Sequence, residues 1–213
     1  MQANSKSINK RDAQKTRLSK PVKALIKAII RSNIKKKKRM EKYTLFGSDN
    51  FDIKKLAQVL HYIISKVGFE PNVGKTFLYK ILYFCDFDYY EKTQNFLVGE
   101  RYIKLPHGPA PQHFDKAIGQ LVKSKAIESI RTRYGNYRQS KYISTAEPVM
   151  DRLSADELIC IDAEIDRFKG MNATQISEYS HGDMPWKATE DNKCIDYRLA
   201  FYRNPIYSVE TAN

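Results

Sequence analysis

The sequence predicts a mainly helical α+β domain with one β-hairpin, preceded by a basic N-terminal arm. Three observations lead to this fold class. Apolar residues recur at spacings of three and four in several segments, which is typical of amphipathic helices. Two runs of β-favouring residues flank a Tyr-Gly-Asn turn, which indicates a hairpin. The excess positive charge is confined to the beginning of the chain, which separates an arm from a balanced domain.

The distribution of charge suggests where the domain begins. The 213-residue chain has a formal net charge of +13. Residues 1–40 hold 14 Lys/Arg and one acid, which leaves 23 basic and 23 acidic side chains in the rest of the chain. An argument from charge for a nucleic-acid partner therefore applies to the arm alone. We predict an arm over residues 1–43, a domain over 44–205 and a tail over 206–213.

The arm contains one stretch with helical periodicity. Pro21 can occupy the first turn of a helix, and one apolar face follows it, surrounded by Lys and Arg. Because nothing within so short an arm can cover this face, we expect it to pack on the domain, on another protein or on a lipid surface. The candidate partner-contacting residues of the face are Leu25, Ile26, Ile29 and Ile30.

The first half of the domain predicts helices joined by short extended segments. Residues 51–67 form an amphipathic pattern that is stopped by Gly68. Residues 77–85 are apolar almost all round, which predicts a central, buried helix. An extended stretch over residues 97–105 then ends in a Pro-rich turn at 106–109.

The second half of the domain continues with a helix from about residue 112 to 124 and a hairpin over residues 127–143. The order of helix, short strand, helix and hairpin is also that of a winged-helix unit, so the fold is predicted to be partly winged-helix-like. A further helix begins at Ser154, where Glu157 completes a capping box. A short helix ending at Ser180, a turn at Trp186 and a last segment over residues 196–203 follow.

Signals for catalysis, metal binding or cofactor binding are weak. Gly74-Lys75-Thr76 resembles part of a phosphate-binding loop, but the upstream Gly68 is one residue too far away and a helix precedes it. The four histidines lack the repeated short spacings of zinc sites, and no nucleophile elbow is present. We therefore predict a protein that is not an enzyme and that binds no cofactor or metal.

The predicted hairpin interleaves basic and aromatic residues. Such a β-ribbon can contact a phosphate backbone, although a solvated polar face is the simpler interpretation. If the protein is a DNA-binding regulator, the candidate nucleic-acid contacts are Arg131, Arg133, Arg138 and Lys141.

Two further features require tertiary partners. Asp86 lies within an apolar helix, and because an unpaired buried carboxylate is costly it must find a donor. Arg101 and Tyr102 are the candidate donors. Trp186, which follows Pro185, is either a core residue or an interface anchor.

Three segments resemble motifs of the Panacea (SocA-like) antitoxin family, in the family's order and over about residues 51–200. Residues 80–87, Lys-Ile-Leu-Tyr-Phe-Cys-Asp-Phe, resemble its K-L-L-Y-x-x-D helix. Residues 99–102 and 107–109 resemble its strand and turn, and Ser-His and Pro-Trp at 180–186 resemble its C-terminal element. The motif positions are Tyr83, Asp86, Arg101, Tyr102, Gly108, Pro109, His181 and Trp186.

The resemblance implies an antitoxin of a bacterial or phage toxin–antitoxin system, which silences its cognate toxin in the cytoplasm by direct contact. The arm residues named above are then candidate toxin contacts. The family also implies a protease as a possible partner, since one member resembles a protease adaptor. No stable membrane insertion is expected, because no apolar run reaches roughly 18–20 residues. The alternative is a winged-helix-like DNA-binding regulator, and an antitoxin can also bind operator DNA to repress its own operon.

Overall fold

The computed structural model describes residues 45–210 and, within the arm, Lys27, which is helical and exposed. Six α-helices and four strands lie within residues 45–210. The helices are α1 (Ile53–Val67), α2 (Lys75–Thr93), α3 (Phe114–Lys123), α4 (Ala155–Phe168), α5 (Ala173–Gly182) and α6 (Met184–Ala188). The strands are β1 (Tyr102–Leu105), β2 (Gly108–Pro111), β3 (Ile127–Tyr134) and β4 (Tyr137–Ser144), and a 3-10 helix spans Tyr197–Tyr202. The predicted arm helix lies outside the described residues apart from Lys27, as do Leu25, Ile26, Ile29 and Ile30.

Local sequence signals place the ends of several helices as predicted. Asp52 caps α1 by accepting the backbone amide of Lys54 at 2.8 Å, and Gly68 closes the helix. The capping box of Ser154 and Glu157 opens α4. Asn172 caps α5 by accepting two first-turn amides. These ends are set by side chains within three residues of the helix, which explains why the sequence predicted them.

Helix α2 is the centre of the domain, as its apolar pattern predicts. Buried side chains occur on all of its faces, among them Ile81, Tyr83, Phe84 and Phe87. It packs against α4, α5, strand β2 and the 3-10 helix. Tyr197 of the 3-10 helix stacks on Phe87 with a centroid distance of 4.2 Å. The later elements are thus built around one buried helix.

The structure adds a second hairpin to the one that the sequence predicted. Strands β1 and β2 pair antiparallel through the two-residue turn of Pro106 and His107. The stretch over residues 106–111 reads as a turn because proline lacks the N–H that a β-ladder uses. Here Pro109 and Pro111 occupy an edge strand, where that loss is tolerated.

The predicted hairpin is present as β3–β4, with Tyr134 paired to Tyr137 across the turn. The two hairpins form separate two-stranded sheets. The order of elements typical of a winged-helix unit is therefore present, but β1 pairs with β2 and not with β3 or β4. Residues 192–195 cover the outer edge of β1, through backbone hydrogen bonds such as Ile195 N–H to the Tyr102 carbonyl at 2.9 Å.

The segment after α5 differs from the sequence prediction. Trp186 lies in the short helix α6 and not in a turn, with Pro185 in its first turn. The predicted tail begins with packed residues, because Tyr207 contacts the core and Ser208 donates to Glu91 at 2.6 Å. Within the part of the chain that the structure describes, no helix is both long enough and apolar enough to cross a bilayer.

Candidate functional site

The carboxylate of Asp86 is completely buried and is bound by four donors. It accepts the backbone amides of Val98 at 2.7 Å, Gly99 at 3.1 Å and Glu100 at 3.3 Å, and the Tyr102 hydroxyl at 2.9 Å. Burial raises the pKa of Asp86, and these hydrogen bonds oppose that rise. Asp86 therefore anchors the segment after α2 to the helix itself.

Only one of the two predicted donors to Asp86 is present. The Tyr102 hydroxyl also donates to the Leu82 carbonyl at 3.0 Å, so its ring spans the space between α2 and β1. The side chain of Arg101 is exposed and makes no bond to Asp86, so this part of the prediction is wrong. The backbone amides that replace it come from the turn before β1, which residue types alone do not reveal.

Tyr83 connects α2 to the junction between α5 and α6. Its hydroxyl donates to Asp183 at 2.8 Å. Arg203 binds both oxygens of the same carboxylate, through Nε at 2.9 Å and Nη2 at 2.7 Å. Such bidentate pairs are among the stronger ion pairs in proteins. Sequence reasoning missed both Asp183 and Arg203, because neither lies in a recognisable motif.

Arg203 also joins a buried cluster of acids on α2. Its Nη1 donates to Asp88 at 2.6 Å and to Glu91 at 2.8 Å. Arg167 of α4 donates to the other oxygen of Asp88 at 2.8 Å and lies 3.3 Å from Glu164. We define Arg203, Arg167, Asp88, Glu91, Asp183 and Glu164 as the buried charge cluster. It connects α2, α4 and the chain terminus.

Its place in the buried charge cluster raises the pKa of Glu164. Burial and the neighbouring Asp88 raise its pKa to about 9, against 4.5 for an ordinary Glu. A carboxyl whose pKa is higher in the folded state stabilises the fold only while it is protonated. For Glu164 this contribution is complete below pH 4.5 and is lost as the pH rises to about 9.

The pH dependence of Glu164 can be measured with a neutral substitute. We expect Glu164→Gln to remove this loss. The free energy of unfolding of the variant should therefore increase relative to that of the unmodified protein as the pH rises. Urea unfolding of both proteins at pH 5, 7 and 9 measures the difference. A difference that stays constant over this range would contradict the assignment.

Gly108 lets the second hairpin approach α2 and α5 closely. Its φ is +97°, and a Cβ atom there would lie 2.4 Å from the Ser180 hydroxyl oxygen and 2.6 Å from Lys80 Cε. The Lys80 ammonium donates to the Pro109 carbonyl at 3.1 Å, and burial lowers its pKa to about 7. The Gly-Pro pair at the start of β2 thus lies over a buried lysine.

We expect Gly108→Ala to destabilise the protein by about 3 kcal/mol or more, because backbone strain and overlap act together. Gly135→Ala is the matched control. Gly135 also has a positive φ, +57°, but its Cβ would meet no atom within 4 Å, so we expect a cost of about 1–2 kcal/mol. Thermal unfolding followed by circular dichroism compares the two, and equal losses would show that contact at Gly108 is unimportant.

His181 and Trp186 form a stacked pair with ring centroids 4.3 Å apart. The Lys104 ammonium lies 4.2 Å from the centroid of the Trp186 ring, on its face. His181 Nε2 and Trp186 Nε1 are buried without a hydrogen-bond partner within the described residues. Burial and the nearby charge of Lys80 lower the pKa of His181. Trp186 is half-buried and packs against the core.

Most of the motif positions therefore meet around α2. Tyr83, Asp86, Tyr102, Gly108 and Pro109 are buried, and each contacts another element. Their contacts are with the protein itself, which gives them a positioning role in the domain. Among the residues that the structure describes, no group of three or more His, Cys, Asp or Glu side chains is arranged to hold a metal ion.

The β3–β4 hairpin presents its arginines on one face. Directly paired residues in antiparallel strands share a face, so Arg131, Arg133 and Arg138 project together. They have no ion-pair partner within residues 45–210. Lys141 differs, because its ammonium donates to the carbonyls of Phe69 and Glu70 at 3.0 and 2.7 Å. Of the four predicted nucleic-acid contacts, the structure places Lys141 against the body of the domain.

The sequence model of the family described as Antitoxin SocA-like, Panacea domain, matches residues 78–187. The match covers half of the chain and runs from α2 through α6 to Lys187. Comparisons with curated proteins and with solved structures give no match. The matched range includes the buried motif positions and the exposed β3–β4 hairpin. The chain belongs to the SocA-like antitoxin family with a Panacea domain.

Proposed function

We propose that this protein neutralises a cognate toxin by direct, stoichiometric binding. The observation that carries the proposal is the family match over residues 78–187. A toxin partner follows from an antitoxin family in general, and the mode of action by direct contact is our inference. Cytoplasmic location and origin in a bacterial or phage system belong to the same proposal.

The proposal assigns the toxin contact to exposed surfaces outside the motif positions. Most of the motif side chains are buried inside the domain, so they are unsuited to recognise a partner; Arg101 is exposed. The β3–β4 hairpin is exposed and carries residue types that are enriched at binding hot spots. Tyr137 is 78% exposed, Tyr134 42% and Ile130 44%. They lie on the face of the hairpin opposite Arg131, Arg133 and Arg138. A stable complex buries on the order of 800 Å² per partner. Because this area calls for more surface than the hairpin tip alone, we propose the arm face around Ile29 as a second contact.

Co-expression with the product of the adjacent gene tests the proposal. We expect that product to arrest growth alone and this protein to restore growth and to co-purify with it. If the product is harmless alone, or if growth is restored without any complex, direct neutralisation is wrong for this pair.

A hairpin variant tests the location of the contact. We expect the triple variant Arg131→Ala, Arg133→Ala, Tyr137→Ala to lose the complex while keeping its helical circular dichroism. The matched control removes two exposed cations and one exposed apolar residue elsewhere, Lys116→Ala, Lys123→Ala and Ile159→Ala. Loss of the complex in both variants would contradict a hairpin contact.

DNA binding is the second candidate function, supported by the arginine face of the β3–β4 hairpin. It predicts an affinity for operator DNA whose logarithm falls linearly with the logarithm of salt concentration. A fragment that begins near Thr44 should keep this affinity if the hairpin carries it and lose it if the arm does. A protease remains a further proposed partner, in an adaptor role.

A further inference from the structure

A cleft lies between the tip of the β3–β4 hairpin and the N-terminal ends of α2 and α5. Its volume is about 870 Å³, which is within the range of roughly 300–1,000 Å³ typical of small-molecule sites. Residues 134–140 form one wall, and residues 74–76 and 172–174 form the others. His107 and His181 also line it.

The charged groups at the cleft favour an anion. Lys75, Arg138, His107 and His181 line it, and the acid among the lining residues is Glu178. Lys75 pairs with Asp115 at 2.6 Å, and that carboxylate is 73% exposed, so the pair is readily exchanged for another anion. The first turn of α2 has no side-chain cap, because residue 74 is glycine. Its free amides and helix dipole add to the positive potential.

Two buried polar groups adjoin the cleft and indicate the same kind of ligand. Lys80 lies against Gly108, the neighbour of the lining residue His107. It is 1% exposed, and its one hydrogen bond within residues 45–210 goes to a carbonyl and not to a carboxylate. A buried ammonium without an opposite charge is costly. The Nε2 atom of His181 is also buried and has no partner in the described part of the chain. Burial lowers the pKa of His181, and the nearby Lys80, His107 and Lys104 lower it further.

The outer part of the cleft is suited to a flat polar ring. Tyr134 and Tyr137 are paired across the hairpin turn, share a face and both line the cleft. Side-chain amides of Asn72, Asn136 and Asn172 lie beside them. Aromatic rings stack on nucleobases without demanding one sequence, and amides can bond to base edges.

We propose that this cleft binds a phosphate-bearing small molecule of nucleotide size, with the phosphates at the α2 N-terminus, Lys75 and His181 and the base near Tyr134 and Tyr137. The site shares Arg138 with the arginine face of the hairpin, but Arg131 and Arg133 do not line it. It does not depend on toxin binding. Arg138 closes the cleft from the hairpin side.

Trp186 provides a reporter for the test, since it is the single tryptophan of the chain and stacks on His181. The full-length protein is titrated with ATP, GTP and inorganic tripolyphosphate, and both Trp fluorescence and the heat of binding are recorded. We expect saturable binding of the nucleotides, weakened about tenfold or more by Lys75→Ala and by Arg138→Ala, since each removes a charge-assisted contact. Arg133→Ala is the matched control, because Arg133 pairs with Arg138 across the strands but does not line the cleft.

Each outcome decides the proposal. Tighter binding of ATP or GTP than of tripolyphosphate supports a nucleotide, and equal binding supports recognition of the phosphates alone. Binding that is unaffected by Lys75→Ala and Arg138→Ala would place the ligand on the basic arm and overturn the proposal. Absence of binding heat and of any fluorescence change with all three probes would overturn it as well.

Discussion

Replacing Arg203 by methionine is expected to lower the free energy of unfolding by about 3–5 kcal/mol. The guanidinium is completely buried and bonds to Asp88, Glu91 and Asp183. Methionine fills a similar volume but leaves the three carboxylates in a water-poor environment without the counter-charge of Arg203, and Arg167 remains beside Asp88 alone. Native domains are stable by only about 5–15 kcal/mol, so this single change removes a large part of the total.

Urea unfolding monitored by circular dichroism measures the effect, with Arg198→Met as the matched control. Arg198 lies in the 3-10 helix that ends just before Arg203 and pairs with Asp196 at 2.7 Å, but its side chain is 38% exposed. We expect the control to lose less than about 1 kcal/mol, as is typical of surface ion pairs. Equal losses of unfolding free energy in the two variants would show that burial does not increase the contribution of the ion pairs of Arg203 to stability.

The second large effect is expected for Asp86→Asn, which we expect to cost about 3 kcal/mol or more. All four groups that contact the carboxylate are donors: three backbone amides and the Tyr102 hydroxyl. The asparagine amide has one acceptor oxygen, and its NH2 group must face these donors. At least one buried N–H or O–H then has no acceptor, and the bonds that remain lose the strength that a charged acceptor provides.

Asp52→Asn is the control for this substitution, because Asp52 also accepts a backbone amide but lies at an exposed helix N-cap. Asparagine and aspartate cap helices about equally well, so we expect a change below about 1 kcal/mol. Thermal unfolding compares the two variants. A small loss at Asp86 would indicate that the turn over residues 98–100 does not depend on the carboxylate.

The helices and the β3–β4 hairpin could be predicted because their signals are local. The caps at Asp52, Ser154 and Asn172 lie beside the helices that they begin, and the Tyr-Gly-Asn turn lies between its strands. The second hairpin could not be predicted in this way. Its prolines contradict local strand preference, and only packing against α2 stabilises them in an edge strand.

The motif positions were predictable as a set but not in their roles. Asp86 was expected to require a donor, and Tyr102 is one. Arg101 does not donate to Asp86. Backbone amides do so instead, and residue types do not indicate which backbone amides will reach a carboxylate. Asp183 and Arg203 were missed for a related reason, since a pair of long-range partners has no spacing that a sequence pattern could show.

By itself the sequence determined the family, the central helix α2 and the separation of a basic arm from a charge-balanced domain. These properties depend on composition, on periodicity and on short motifs, which the chain carries whether or not it is folded. The tertiary structure alone decided that Arg203 meets Asp88, 115 positions earlier in the chain, and that Gly108 covers Lys80. Such contacts depend on how the elements pack, because only close packing removes these groups from water and makes their pairing obligatory.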